Sequence, residues 1–309
     1  MASDAWAYDS LQIPKPLSPG DRVGIVSPSS WVKRGEIQEG LKILRSFNLE
    51  ITIPDETFLR HRYLAGEDPK RARSLNGLFG DPRIKAIFCT RGGYGSLRIL
   101  EGIDYGLIRE NPKILVGYSD VTALLVAVFK LSGLMVFHGP MLKVNGNSAP
   151  LRQMLRYLIS PRPIRLRIKE EAVILWGRLE GRLIGGNLTV LSHLISTQYF
   201  PPLKGMVLFL EDIREPLYRI DRALTHLRLS GLLRGLRGIL LGDFLGCGSK
   251  REIRELFRDL ASSLEIPCIG GIPIGHGNRN ITLPLGGFCH MEDGTLVIEP
   301  WHKIGPEDD

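Results

Sequence analysis

A serine, a glutamate and a histidine stand in this sequence where apolar runs end. Ser119 lies in "ILVGYSDVTALL" (114–125), between a strand-like run and an apolar run at helical spacing. Glu211 sits near the end of "MVLFLEDI" (206–213), and His276 lies among glycines in "GIPIGHGNRN" (271–280). A serine hydroxyl becomes a nucleophile only beside a base, and the base needs a carboxylate to orient it. Three such residues converging would support acyl transfer, and the chain order Ser, Glu, His is one that known triads use. At a helix start, Ser119 would also meet free backbone N–H groups and a partial positive charge, both suited to an oxyanion.

Each residue has a plainer reading. Ser119 or Asp120 also reads as an ordinary helix cap, and the G-x-S-x-G pattern of a nucleophile elbow is incomplete because Val121 holds its last position. Glu211 could pair with Arg214, and Asp212 would face the other way if the strand continues. His138 in "VFHGP" also follows a strand and competes with His276. His193 and His226 fall in helical patterns, and His61, His290 and His302 sit among charged residues.

A second loop, "TRGGYGS" (90–96), has neither the Lys-Ser/Thr of a P-loop nor the G-x-G-x-x-G spacing. Its glycine pair permits close backbone approach, so it reads as a second oxyanion donor or as a tight turn. In a parallel sheet, ligands collect at the carboxyl ends of strands. "SPSS", "RGGYGS" and "GYSD" all fall there.

The elements that must position these loops alternate. "RVGIVSP" (22–28), "LEITIP" (49–54), "IKAIFCT" (84–90), "KILVGYS" (113–119) and "LMVFHG" (134–139) read as strands. Helical patterns occupy 36–47, 69–80 and 121–133. This predicts an α/β fold with an N-terminal parallel-sheet domain covered on both faces. "NGNSAP" and "SPRP" mark a linker over 146–172. It separates an N-terminal domain (1–145) from a C-terminal mixed α+β domain (173–309). In the latter, 206–213 and 238–244 read as strands, 218–233 as an amphipathic helix and 284–300 as a hairpin.

The 309 residues carry a formal charge of +7. The basic residues are spread out, and the densest patches, "KRARS" (70–74) and "RLRIK" (165–169), are short. They read as solvated faces, and no nucleic-acid partner is expected. The four cysteines, Cys89, Cys247, Cys268 and Cys289, form no C-x-x-C pair, so neither disulfides nor a metal site is expected. The first residues show no secretory pattern, and no apolar run reaches a membrane span. The expectation is a cytoplasmic protein with no membrane partner.

Seven ordered motifs then converge: "LSPGDRVGIVSPSS", "YLAGEDPKRARSLNGLFGDPRIKAIFCTRGGYGS", "ILVGYSDVTALL", "FHGPM", "EGRLIGGNLTVL", "LFLEDIREPLYRIDRALTHL" and "PIGHGNRNITLPLG". Across residues 14–300 the sequence resembles the LD-carboxypeptidase family of serine peptidases, which includes muramoyltetrapeptide carboxypeptidases and microcin C immunity peptidases. The resemblance implies a catalytic Ser119, Glu211 and His276 divided between two domains, an active site at their interface, and no metal or other cofactor. It implies oxyanion-hole donors at Gly93 and Asp120. It implies substrate contacts at Arg91, Gly92 and Tyr94, and at Gly186 and Asn187 in "GGNL", facing the nucleophile. Arg91 would hold a terminal carboxylate, unless it forms a structural ion pair. The implied substrate is a small murein peptide, cleaved before its terminal D-alanine, and the implied assembly a homodimer. The short 169–185 segment leaves little room for a loop closing over a nucleotide, which favours the murein branch. Trp176 reads as a packed aromatic rather than a stacking residue.

Overall fold

The computed structural model describes residues 11–144 and 146–303. The signal reading of the first ten residues, and the end of the C-terminal domain beyond 303, lie outside that range. The first half builds β1 (Arg22–Val26), α1 (Gln38–Ser46), β2 (Glu50–Thr52), α2 (Asp68–Gly80), β3 (Ile84–Cys89), α3 (Tyr105–Glu110), β4 (Ile114–Gly117), α4 (Thr122–Ser132) and β5 (Val136–His138). The strands pair in parallel, as alternation with helices requires.

The segment 146–172, expected as a linker, is structured. It contains α5 (Ala149–Ile159) and β6 (Ile164–Arg167). Leu151, Met154, Leu155 and Leu158 lie on one face of α5 and pack with Ile37 and Leu41 into the first half's core. The proline and serine clusters on either side mark the two ends of this helix, with Pro150 in its first turn.

The remaining elements are β7 (Val173–Leu175), β8 (Glu180–Asn187), α6 (Leu188–Ser192), β9 (Met206–Ile213), α7 (Leu217–Leu229), β10 (Gly238–Leu245), α8 (Lys250–Leu264), β11 (Cys268–Ile269), β12 (Leu283–Leu285), β13 (Phe288–Glu292) and β14 (Thr295–Ile298). They form an eight-stranded mixed sheet in the order β6-β14-β13-β8-β9-β10-β11-β7. β12 leaves it. It pairs antiparallel with β5 and becomes the edge of the first sheet, whose order is β12-β5-β4-β3-β1-β2. The first sheet is therefore mostly parallel, its sixth strand supplied by the chain's second half.

α4 lies between the sheets. Every residue from Thr122 to Phe129 is buried, the mark of a helix enclosed on all sides. Each large apolar side chain buried there contributes about 1.5–3 kcal/mol, so the helix following Ser119 is a fixed mount. Gly133, at φ +67°, ends it in the left-handed conformation.

Two smaller expectations change. Trp176 is 70% exposed and does not pack in a core. In the patch read as a solvated basic face, Arg71 is buried and donates to the carbonyls of Pro28 and Gly95. All four cysteines are free and buried. Among the described residues, no helix is long and apolar enough to cross a membrane.

Candidate active site

Ser119 stands at the turn from β4 into α4 with φ +62°. A left-handed serine costs of order 1–3 kcal/mol and persists only where its surroundings hold it. Here they do. Gly117 leaves room for Val121, since a Cβ on Gly117 would lie 2.5 Å from Val121 Cγ1. The elbow thus tolerates valine in the place of its usual last glycine because the close approach falls on Gly117. On the other side Gly92 abuts the serine, and a Cβ there would lie 3.0 Å from Ser119 Cβ. Neither Ser119 nor Asp120 caps the helix with its side chain.

The Asp120 side chain has a different task. Its Oδ2 accepts hydrogen bonds from Ser29 Oγ (2.5 Å) and Ser96 N (2.8 Å), and its backbone carbonyl accepts from Ser96 Oγ. One buried carboxylate therefore ties the loops after β1 and β3 to the elbow after β4. Arg71 bridges the same two loops from below.

From the second sheet, Glu211 ends a fully buried stretch of β9 and is itself 0% exposed. Its Oε2 lies 2.6 Å from His276 Nδ1, and His276 Nε2 lies 3.1 Å from Ser119 Oγ. Glu211 therefore meets His276, not Arg214. Gly275, at φ +105°, makes the approach possible, because a Cβ there would sit 2.6 Å from Glu211 Oε2. Asp212 turns away as strand alternation requires. It accepts from Asn187 Nδ2 (2.9 Å), Thr189 N (2.9 Å) and Thr189 Oγ1 (2.7 Å).

Burial opposes charging of His276, but the hydrogen bond and charge of Glu211, helped by Asp212 and Asp243, hold its pKa above the usual histidine range. Burial pushes Glu211 up, with the His276 bond pulling it back. The Tyr118 ring lies 5.0 Å from the imidazole and shields one face. His138, the competing histidine, is wholly buried between Tyr118 and Phe209, and burial pushes its pKa down to about 3. It is a neutral core histidine.

The GGYG loop faces the serine. Gly92 touches it, and Gly93, at φ +113°, packs on Ser30, whose Oγ accepts from Tyr94 N at 3.1 Å. Among the described residues, no acceptor takes the N–H of Gly93 or Asp120. Arg91 is partly buried and makes no salt bridge among the described residues, though its charge acts on Glu36. Tyr94 is 44% exposed. A cleft of about 220 Å³ beside the imidazole is lined by Tyr118, Met141, Lys143, Asn147, His276 and Asn278.

Gly186 and Asn187, expected as substrate contacts, lie against α4. A Cβ on Gly186 would strike the Thr122 side chain at 2.6 Å, and Asn187 N donates to Thr122 Oγ1 at 3.1 Å. The Asn187 carboxamide is committed to Asp212 and to Val190 N. The pair joins the second sheet to α4. Sequence reasoning missed the clamping role of Asp120, and it missed Arg71, Asn280 and Asp243. Only Asp243 carried a usable signal, as an acid at the carboxyl end of a parallel strand. No group of three His, Cys, Asp or Glu side chains among the described residues is arranged to hold a metal ion.

The LD-carboxypeptidase N-terminal domain matches residues 23–139, and the LD-carboxypeptidase C-terminal domain matches residues 180–291. A probable murein peptide carboxypeptidase of Bacillus subtilis is 36% identical over 299 residues, spanning 93% of this chain and 94% of the relative. The murein tetrapeptide carboxypeptidase of Pseudomonas aeruginosa is 35% identical over 292 residues, spanning 89% and 94%. Among solved structures, an MccF-like protein from Bacillus anthracis superposes with TM-score 0.86 at 28% identity, covering 94% of this chain and 99% of that one.

Proposed function

The chain belongs to the LD-carboxypeptidase family, and from that premise we propose that it releases the terminal D-alanine of a murein tetrapeptide through Ser119, His276 and Glu211. The observation that carries the reading is the unbroken line from Glu211 Oε2 through His276 to Ser119 Oγ, at 2.6 and 3.1 Å. Both distances are within reach for proton transfer.

His276 Nε2 takes the Ser119 proton as Oγ bonds to the carbonyl carbon of the L-centre. The tetrahedral oxyanion is held by the N–H groups of Gly93 and Asp120. The C–N bond then breaks, and His276 returns the proton to the leaving amine of D-alanine. Water, activated by the same imidazole, attacks the ester and frees both Ser119 and the shortened peptide. Glu211 keeps the imidazole in the tautomer with Nδ1 protonated and stabilises the imidazolium. Arg91, which makes no salt bridge among the described residues, receives the terminal carboxylate.

On this reading residues 1–145 carry the nucleophile and 173–309 the acid and base, in a cytoplasmic homodimer. The likeness to the MccF-like protein supports a second reading, cleavage of aminoacyl or peptidyl nucleotide conjugates by the same residues. The deciding experiment measures D-alanine release from purified murein tetrapeptide by wild type and Ser119→Ala. Release by wild type and loss of at least roughly 10⁴-fold in the variant is expected. Absence of release by wild type, with turnover of a peptidyl nucleotide, would replace the first reading by the second.

A further inference from the structure

Both amides flanking His276 are held by side chains. Gly275 N donates to Asn280 Oδ1 at 3.1 Å, and Gly277 N donates to Asp243 Oδ2 at 3.0 Å. Asp243 comes from β10, the strand beside Glu211's own. The pairing of β10 with β9 runs in register to Leu241↔Leu210, then slips and resumes at Phe244↔Asp212. The irregularity falls on Gly242 and Asp243. Such bulges bend a strand and re-aim a side chain, often next to an active site.

The packing around this bulge is tight. A Cβ on Gly242 would lie 2.6 Å from the Ile274 carbonyl and 3.2 Å from Glu211 Cβ. A Cβ on Gly277 would lie 2.1 Å from Asp243 Oδ2. Asp243 N also donates to the Ile274 carbonyl at 2.9 Å. Glycine is thus required on both sides for the aspartate to reach the histidine's turn. The carboxylate is partly buried and has no ion-pair partner among the described residues. A backbone N–H needs only a neutral acceptor, as Asn280 supplies at Gly275. A partly buried charge costs free energy that this bond alone does not require, and the cations that act on it are His276 and Lys250.

We propose that Asp243 is a positioning residue for the catalytic histidine: its Oδ2 fixes the turn that aims His276 Nε2 at Ser119, and its charge supports the imidazolium formed when the serine proton arrives. The charges that act on the imidazole are those of Glu211, which it touches, and of Asp212 and Asp243 at longer range; Tyr118 from the elbow packs on it, His138 from β5 lies beyond Tyr118, and Lys250 from α8 acts on Asp243. Tyr118, pushed by burial up to about 12, and His138, pushed down to about 3, stay neutral through the working pH range. Glu211 supplies one charge at Nδ1, and Asp243 supplies a second at the following residue's amide. Burial raises Asp243 itself, with the Gly277 bond and the charges of His276 and Lys250 pulling it back.

The inference rests on His276 acting as the base, and its test does not require the murein substrate. Histidine labelled with ¹³C at Cε1 is titrated by NMR in the full chain, with His276→Gln assigning the resonance. Asp243→Asn keeps an acceptor for Gly277 N–H and removes the charge. It is expected to lower the His276 pKa by roughly half a unit to one unit and to move the acid limb of Ser119 labelling by a fluorophosphonate equally. Asp243→Ala removes the acceptor as well and is expected to slow labelling at the pH plateau a further ~10-fold. A His276 titration unchanged in Asp243→Asn overturns the proposal. So does equal plateau labelling by the two variants. If Asp243→Ala does not fold, the titration of Asp243→Asn decides alone. A protein that fails on murein peptide but shows these shifts loses its substrate assignment and keeps Asp243.

Discussion

Gly92 lies against the side chain of Ser119 so closely that an added methyl would come within 3.1 Å of the hydroxyl oxygen. The contact couples two loops from different strands, the one carrying the proposed nucleophile and the one carrying the proposed oxyanion donor. Neither neighbour can retreat cheaply, because Ser119 is already held at a positive φ and followed by a fully enclosed helix. Gly92→Ala is therefore expected to leave the thermal midpoint within a few degrees and to lower kcat for D-alanine release by roughly tenfold or more. Activity equal to wild type would mean that the loop yields freely.

Glu211 and Asp212 are adjacent acids with opposite duties. Glu211→Gln is expected to lower kcat roughly 10²–10⁴-fold, since an amide holds the imidazole less well and cannot stabilise its charge. Asp212→Asn is expected to lower kcat less than about tenfold. Its cost falls on stability, about 1–3 kcal/mol, because Oδ2 faces two donors at Thr189. Steady-state kinetics and urea unfolding of both variants separate the two effects, and the reverse ranking would move the catalytic role to Asp212.

The pH dependence has a definite sign. His276 must be neutral to accept the serine proton, and its acidic neighbours raise its pKa. Activity is therefore lost as pH falls through a value above the ordinary histidine value of about 6.5. The acid limb of kcat/KM is expected to have its midpoint above neutral histidine's, and a midpoint near 5 would contradict the pairing with Glu211.

Asp120 offers a test of the loop clamp. Asp120→Ala orphans Ser29 Oγ and Ser96 N together, costing about 1–3 kcal/mol for each buried donor left unpaired. Chemical denaturation is expected to show that loss. Ser119 labelling by a fluorophosphonate should slow as well, since the Gly93 loop keeps only the Ser96 Oγ bond to the residue 120 carbonyl and loses its carboxylate tie to the elbow. Destabilisation with unchanged labelling would limit Asp120 to a structural part.

Ser119, Glu211 and His276 were legible because each breaks a strong local pattern. A serine between a strand and a helix, an acid ending a buried strand and a histidine among glycines stand out without knowledge of the fold. The alternating first half was legible for the same reason. What stayed hidden depends on contacts distant in sequence. Nothing local in "KRARS" marks Arg71 as buried beneath two loops, and nothing in "GGNL" says that its asparagine is spent on Asp212. α5 had the right apolar spacing, but the prolines and serines that bound it outweighed that spacing and made it read as a linker. β12 is three residues long, contains Pro284, and joins a sheet whose other strands all precede it by more than a hundred residues.

That edge strand has a consequence for how the enzyme comes into being. Ser119 and the five parallel strands are synthesised first, yet their sheet lacks its last member until the chain has passed His276. The same short stretch that completes the first sheet follows directly on the loop carrying the base, anchoring that loop to the body that holds the nucleophile. The first sheet is therefore closed across a span of the chain that takes in both domains, by a strand that lies a few residues beyond the proposed base.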